Sequence, residues 1–173
     1  MDRSLEEDFT AFVAERAHAL LKAAYALTGD QHAAQDLVQS AFAKAFLKWR
    51  KISDAPEPYV RRIIYHDFVS MWRSHRRKRE VIVAEPPDRS DNGELERDAA
   101  IRLLLREALA ALPPRQRAVI VLRYFEDFSV EETAAILACG KGTVASQASR
   151  ALAKLRQAVS QLDGVDDLTG VGS

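Results

Sequence analysis

Residues 112–155 read LPPRQRAVIVLRYFEDFSVEETAAILACGKGTVASQASRALAKL, and this stretch decides the fold. Pro113 and Pro114 suit a helix start, because a proline in the first helical position gives up no intrahelical bond. Ser129 and Glu132 have the spacing of a capping box, in which each side chain satisfies an orphaned amide at the start of a helix. The short helix they open carries Ala134, Ile136 and Leu137, and it must stop near Cys139 and Gly140. A second helix follows at once, with Val144, Ala148, Ala151, Leu152 and Leu155 on one stripe. Its other face presents Lys141, Thr143, Ser146, Ser149 and Arg150. Small polar residues with isolated cations suit a surface that approaches base edges in a major groove, so the pair reads as a DNA-binding helix-turn-helix with an extra helix in front. An ordinary helical hairpin has the same spacing, and the rest of the chain has to arbitrate.

The chain has 173 residues, 47% of them apolar, which allows one domain or two small ones with packed cores. No apolar run approaches the roughly 18 residues of a membrane span, and the acidic start DRSLEEDF is unlike a signal peptide. A cytoplasmic protein without membrane insertion is therefore expected. Cys139 is the only cysteine, which excludes an internal disulfide, and His18, His32, His66 and His75 lack paired zinc spacing. No phosphate-binding glycine loop, metal-ligand cluster or nucleophile and base pair stands out. The expectation is a protein with no catalytic residue, cofactor, metal or small-molecule substrate.

Net charge is zero, which looks wrong for a nucleic-acid binder, but the distribution is uneven. Five of the seven residues from Arg73 to Arg79 (RSHRRKR) are cationic, and acids gather just after them in AEPPDRSDNGELERD. Such segregation points to an electrostatic surface beside a linker, although a charge run is also what a solvated helix face looks like. Residues 81–97 are rich in Pro, Asp, Ser and Gly with few apolar side chains, and read as a flexible acidic linker between two helical blocks.

The first block, residues 1–80, contains three expected helices. Residues 5–27 carry Phe9, Phe12, Val13, Leu20, Ala24 and Leu27, and Gly29 with Asp30 ends that helix. Residues 31–50 bury Ala34, Leu37, Val38, Ala41, Phe42, Ala45 and Trp49 on one stripe and offer Asp36 and Gln39 on the other. A third helix starts after Ala55-Pro56-Glu57-Pro58 and runs towards Arg79, with Val60, Ile63, Ile64, Phe68, Met71 and Trp72 as its core stripe. Offsets of three and four share a helix face, so Arg62, His66, Ser70, Arg73 and Arg77 form a basic ridge suited to phosphates. Apart from the ambiguous run Val81 to Val83, no pattern of period two persists, and the fold class is all-α. Two small helical domains are expected, residues 1–80 and 98–162, joined by the linker and followed by a disordered tail at 163–173.

With these residues in place, the chain resembles a known family. LTGDQHAAQDLVQSAFAKAF is similar to regions 2.1 and 2.2 of bacterial RNA polymerase sigma factors of the extracytoplasmic-function group, in the sigma-70 family. PEPYVRRIIYHDFVSMWR resembles regions 2.3 and 2.4, and ALPPRQRAVIVLRYFEDFSVEETAAILACGKGTVASQASRALAKLR resembles regions 4.1 and 4.2. The resemblance implies a factor that binds core RNA polymerase, places it on promoter DNA at the minus-35 and minus-10 elements and helps melt the latter. It also implies an anti-sigma factor as a partner.

Carried over residue by residue, the resemblance implies that Asp36, Leu37 and Gln39 contact the polymerase clamp. It implies that residues 49–59 include the loop capturing a flipped minus-10 base, with Trp49 read as core and Tyr59 left open between core and pocket. Arg62, His66 and Arg73 would line the minus-10 strand, with Arg76 and Arg77 extending that DNA-contacting set. Lys141, Thr143, Ser146, Ser149 and Arg150 would face the minus-35 major groove. His66 stands where the family usually has Asn, Ala145 where Lys or Arg is common, and Gly140 where Ser is usual. A sigma-like adaptor that sequesters an anti-sigma factor without touching DNA is the alternative, but it would be expected to lose the cations that this chain keeps.

Overall fold

The computed structural model of the chain describes the backbone of residues 2–75 and 93–168, and the side chains of 2–71 and 96–161. Every regular element among the described residues is helical, as the period-3.6 patterns require. Helix α1 spans Arg3–Thr28. Asp2 caps its start, and Gly29 ends it in the left-handed conformation (φ 67°), donating its amide to the Tyr25 carbonyl at 2.8 Å. Only glycine enters that region without a Cβ penalty, so the stop is sharp. Asp30 then accepts from the amides of His32 and Ala33 and opens α2, Gln31–Leu47.

Helix α2 does not reach Arg50. It breaks at Lys48 (φ −110°, ψ 8°) and resumes as the single turn α3, Trp49–Ile52. The break swings Trp49 inward to 2% exposure, where Phe9 and Phe12 pack on its ring at 5.1 and 5.4 Å. Helix α4 spans Pro56–His75. Val60, Ile64 and Phe68 are buried along it as the stripe predicts, but Met71 is exposed, because the core ends one turn earlier. The side chains of Trp72 and Arg73 and the whole of residues 76–92, which include Arg76, Arg77, Val81 to Val83 and most of the stretch read as linker, lie outside the described residues.

The second half begins with α5, Gly93–Ala111, which starts inside the stretch read as linker. Pro113 and Pro114 open α6, Pro114–Ile120, with Pro114 in the first helical position. A π-helical turn, Val121–Phe125, continues it. The capping box is formed: Glu132 N donates to Ser129 Oγ at 3.0 Å and Ser129 N to the Glu132 carboxylate at 3.3 Å, opening α7, Val130–Leu137. The stop after α7 falls on Ala138, which is left-handed at φ 53°, one residue before the expected Cys139 and Gly140. Helix α8, Lys141–Leu168, runs into the stretch read as a tail, of which residues 169–173 lie outside the described residues.

The two halves share one apolar core. Leu20, Leu27, Leu37, Val38, Val60, Ile64, Tyr65 and Phe68 of α1, α2 and α4 pack in the same cluster as Ala118, Val121 and Leu122, with Phe128, Ile136 and Leu137 against it. The π-helical turn is what delivers two successive residues, Val121 and Leu122, both fully buried, into that cluster. Two smaller clusters fix the second half internally: Leu109, Leu112, Ile120 and Ala151 in one, and Val119, Ala134 and Val144 in the other.

Candidate nucleic-acid and polymerase interfaces

The helix-turn-helix is built from α7 and α8. Val144 is fully buried against Val119 and Ala134, and Ala151 against Leu109, Leu112 and Ile120, so α8 has one rotational setting. That setting leaves Lys141, Thr143, Ser146, Ser149 and Arg150 all exposed on the outer side, as the stripe requires. Gly140 precedes the helix, and its carbonyl accepts the Val144 amide at 3.2 Å. Lys141 Nζ lies 3.4 Å from the Glu131 carboxylate on α7. Hydrogen bonding to its own backbone amide and then to Lys141 holds the Glu131 carboxyl below the usual carboxylate range. Lys141 therefore has a carboxylate partner that a phosphate would have to replace.

On α4, Arg62, His66 and Ser70 are exposed on one line, and the ridge is real over the described part of the helix. His66 Nδ1 is 3.5 Å from Asp67, whose other oxygen accepts from Lys44 Nζ at 2.7 Å. On α2, Asp36 and Gln39 are exposed while Leu37 is 2% exposed and belongs to the core. The Leu37 side chain cannot reach a partner from there; its part is to hold α2 so that Asp36 and Gln39 face outward. Tyr59 is half-buried: it packs on the shared core and lines a cleft.

That cleft has a volume of about 560 Å³ and lies between the two halves. Tyr59, Arg62 and His66 of α4 line one wall, and Arg115, Thr143 and Gln147 the other. Cys139 lines it as well, half-buried and without a disulfide. Among the described residues no group of three or more His, Cys, Asp or Glu side chains is arranged to hold a metal.

Three arginines that the periodicity does not single out bind the halves together. Arg61, almost buried, pairs with Glu57 at 2.8 Å and with the Glu126 carboxylate, and its guanidinium lies 4.9 Å over the Phe128 ring. Tyr65 Oη donates to the other Glu126 oxygen at 2.5 Å. Glu57 also pairs with Arg16 of α1. Burial pushes the Glu57 carboxyl up, but hydrogen bonds and charge from Arg16 and Arg61 outweigh it and leave its pKa lowered. Arg117, 2% exposed, donates to the Leu27 carbonyl at the end of α1 at 2.7 Å and to the Ala110 and Leu112 carbonyls at 2.8 and 3.0 Å. Burial lowers its pKa to about 10, still far above neutrality, so the cation persists and its carbonyl acceptors compensate its desolvation. Arg106 of α5 lies 4.6 Å over the Tyr25 ring of α1.

Comparison with known proteins follows the same division of the chain. Residues 12–78 match the family described as Sigma-70 region 2, and residues 102–155 match the family described as Sigma-70, region 4. The RNA polymerase sigma-E factor of Streptomyces coelicolor is 40% identical over 152 residues, covering 87% of this chain and 85% of that protein. The protein of the same name from Streptomyces avermitilis is 39% identical over 158 residues, covering 90% and 87%. Among solved structures, the sigma factor RpoE of Bartonella quintana in complex with the anti-sigma factor NepR superposes with a TM-score of 0.67 at 26% identity, covering 89% of this chain and 98% of that one. CnrH in complex with the cytosolic domain of CnrY has the same fold, with a TM-score of 0.63 at 24% identity over 88% of both chains.

Proposed function

We propose a division of labour among these surfaces from one premise: the chain belongs to the sigma-70 family of RNA polymerase sigma factors, in its extracytoplasmic-function group. It is an alternative sigma factor that binds core RNA polymerase and directs promoter recognition, DNA melting and transcription initiation. Bond-making belongs to the polymerase core, and we assign this chain no reaction, cofactor or small-molecule substrate of its own. Its place of action is with the polymerase, in the cytoplasm.

The observation that carries the residue-level reading is the fixed setting of α8. Val144 and Ala151 are fully buried on one side, so five polar side chains must face outward together. Thr143, Ser146, Ser149 and Arg150 read the minus-35 major groove, and Lys141 anchors a phosphate. The exposed line of Arg62 and His66 on α4 follows the minus-10 strand, and Arg73, Arg76 and Arg77 are assigned to the same strand from the sequence alone. Asp36 and Gln39 on the outer face of α2 dock on the polymerase, with Leu37 behind them. An anti-sigma factor is proposed as a further partner, by analogy with the solved complex of RpoE and NepR.

The test is to map transcript starts from a promoter library transcribed by purified core polymerase plus this protein at several salt concentrations. Defined starts are expected. Arg150→Ala should flatten the preference at one minus-35 position, since a bidentate guanidinium contact to guanine discriminates by roughly 1 to 3 kcal/mol. Lys141→Ala should weaken all promoters alike and reduce the salt slope by about one. Asp36→Arg should abolish core binding while changing stability by less than about 0.5 kcal/mol, as exposed substitutions do. Absence of any defined start would favour the adaptor reading, and one common loss factor across promoters for Arg150→Ala would make Arg150 a phosphate anchor.

A further inference from the structure

We propose that the cleft between the two halves is a binding site for a small organic anion, with an apolar or aromatic body and one carboxylate or phosphate head. The inference goes beyond the sigma-factor reading and does not depend on it. The cleft volume of about 560 Å³ falls within the range of roughly 300 to 1,000 Å³ in which proteins hold small molecules. Such sites combine apolar walls with a few polar groups that fix orientation. This cleft has that make-up. Ile63 and Val69 of α4 and Ile136 and Leu137 of α7, all half-buried, give it an apolar lining. The half-buried ring of Tyr59 adds an aromatic wall, and Thr143 and Gln147 of α8 add a hydroxyl and an amide.

The sign of the ligand follows from the charges around it. Lys44, Arg62 and Arg115 line the cleft, and among the described residues that do so Asp67 is the one carboxylate. Asp67 is already engaged: Lys44 Nζ donates to one of its oxygens at 2.7 Å, and His66 Nδ1 stands 3.5 Å from the other. Arg62 and Arg115, exposed on opposite walls, form no ion pair with any described residue. Two guanidinium groups without a counter-charge therefore border an apolar space. A guanidinium presents a planar fork that takes carboxylate or phosphate oxygens two at a time, so the head group is an oxyanion. The apolar lining sets the other half of the ligand. A bare inorganic anion would leave that lining unfilled, and a neutral apolar molecule would gain nothing from the two guanidinium groups.

The experiment uses the full chain without polymerase and three probes. Anilinonaphthalene sulfonate has an aromatic body and one oxyanion head, phenylnaphthylamine has the same body without the head, and inorganic phosphate is a head without the body. Fluorescence titration should show one saturable site for the sulfonate, with phenylnaphthylamine weaker by about tenfold, the factor that one charge-assisted hydrogen bond supplies. Phosphate should displace the sulfonate only at far higher concentration. Arg115→Ala, which truncates an exposed side chain outside any ion pair, should weaken the sulfonate by about tenfold and leave phenylnaphthylamine unchanged. Arg156→Ala, the same loss of charge on α8 away from the cleft, should leave both unchanged. Cys139, the chain's single thiol, lines the cleft and so locates the probe. With the sulfonate at about ten times its dissociation constant, alkylation of Cys139 by iodoacetamide should slow by about tenfold, in proportion to the chains left empty. Equal sulfonate affinity for the parent and Arg115→Ala, phenylnaphthylamine binding as tightly as the sulfonate, or an unprotected Cys139 would each overturn the site. The thiol measurement needs no variant, so it decides even if Arg115→Ala does not fold. Failure of the sigma-factor reading would show separately, as a parent protein that gives no defined starts with core polymerase, and would leave these measurements on the free chain as they are.

Discussion

Tyr65 is 1% exposed, and its hydroxyl donates to the Glu126 carboxylate at 2.5 Å. Burial first, then the charge and hydrogen bond of Glu126, raise its pKa well above 10. A pKa raised in the folded state contributes stability that is complete below the unfolded value near 10 and is lost as pH rises through the folded value. Tyr65 should thus ionise above the ordinary phenol range, together with alkaline unfolding. Ultraviolet titration of phenolate absorbance on the parent and on Tyr65→Phe checks this: the late step should vanish in the variant. The same titration curve for the folded parent and for Tyr65→Phe at high pH would contradict it. Neither Tyr65 nor its partners stand out in the sequence. Arg61 lies beside Val60, in the turn before Ile64 and Tyr65, where only the position of Glu57 four residues earlier hints at a pair. Glu126 offers no local signal, because the contact spans 65 positions of sequence. The exposure of Lys141 and Arg150 is legible, since the apolar stripe of their own helix sets it, whereas the pairing of Lys141 with Glu131 of α7 is not.

At the scale of elements, helix starts are the most readable features. Asp30, Pro114 and Ser129 with Glu132 begin helices as their chemistry dictates. Stops are less readable where the chain accepts strain. Ala138 ends α7 at φ 53°, a conformation that costs a residue with a Cβ roughly 1 to 2 kcal/mol, while Gly140 two residues on is the apparent candidate. The turn must bring Val144 down onto Val119 and Ala134, and that packing fixes where the chain reverses. Ala138→Gly should relieve the strain, stabilising the chain by up to about 1 kcal/mol and raising the melting temperature by about 2 to 4 °C for a protein of this size. Calorimetry would measure it. A lower melting temperature would mean that the unfolded-state entropy of glycine outweighs the relieved strain. The break at Lys48 is the second unread boundary, because the apolar stripe of α2 continues through Trp49 and only the ring packing of Phe9 and Phe12 shows that the helix has stopped.

For the whole molecule, composition and periodicity give an all-helical chain in two blocks, and both blocks are present with the family and helix-turn-helix that the motifs imply. The relation between the blocks is not written in any local pattern. Val121 and Leu122 read as an ordinary apolar run within the second block, yet they are fully buried in a cluster dominated by the first. A shared core couples the folding of the two halves, and this can be tested with a natural probe. Trp49 and Trp72 are the only tryptophans and both belong to the first block, so tryptophan fluorescence reports on that block alone. Leu122→Ala removes a fully buried side chain in the second block and should cost about 2 to 5 kcal/mol. If the halves fold as one unit, the fluorescence midpoint in urea should fall, and it should coincide with the midpoint from far-ultraviolet circular dichroism, which sees helices throughout. Independent halves would instead leave the fluorescence midpoint at its parental value while the dichroism transition splits in two. That second outcome would reduce the contact of Val121 and Leu122 with α1 and α4 to a loose docking, beside the Arg61 and Glu126 pair that also joins the halves.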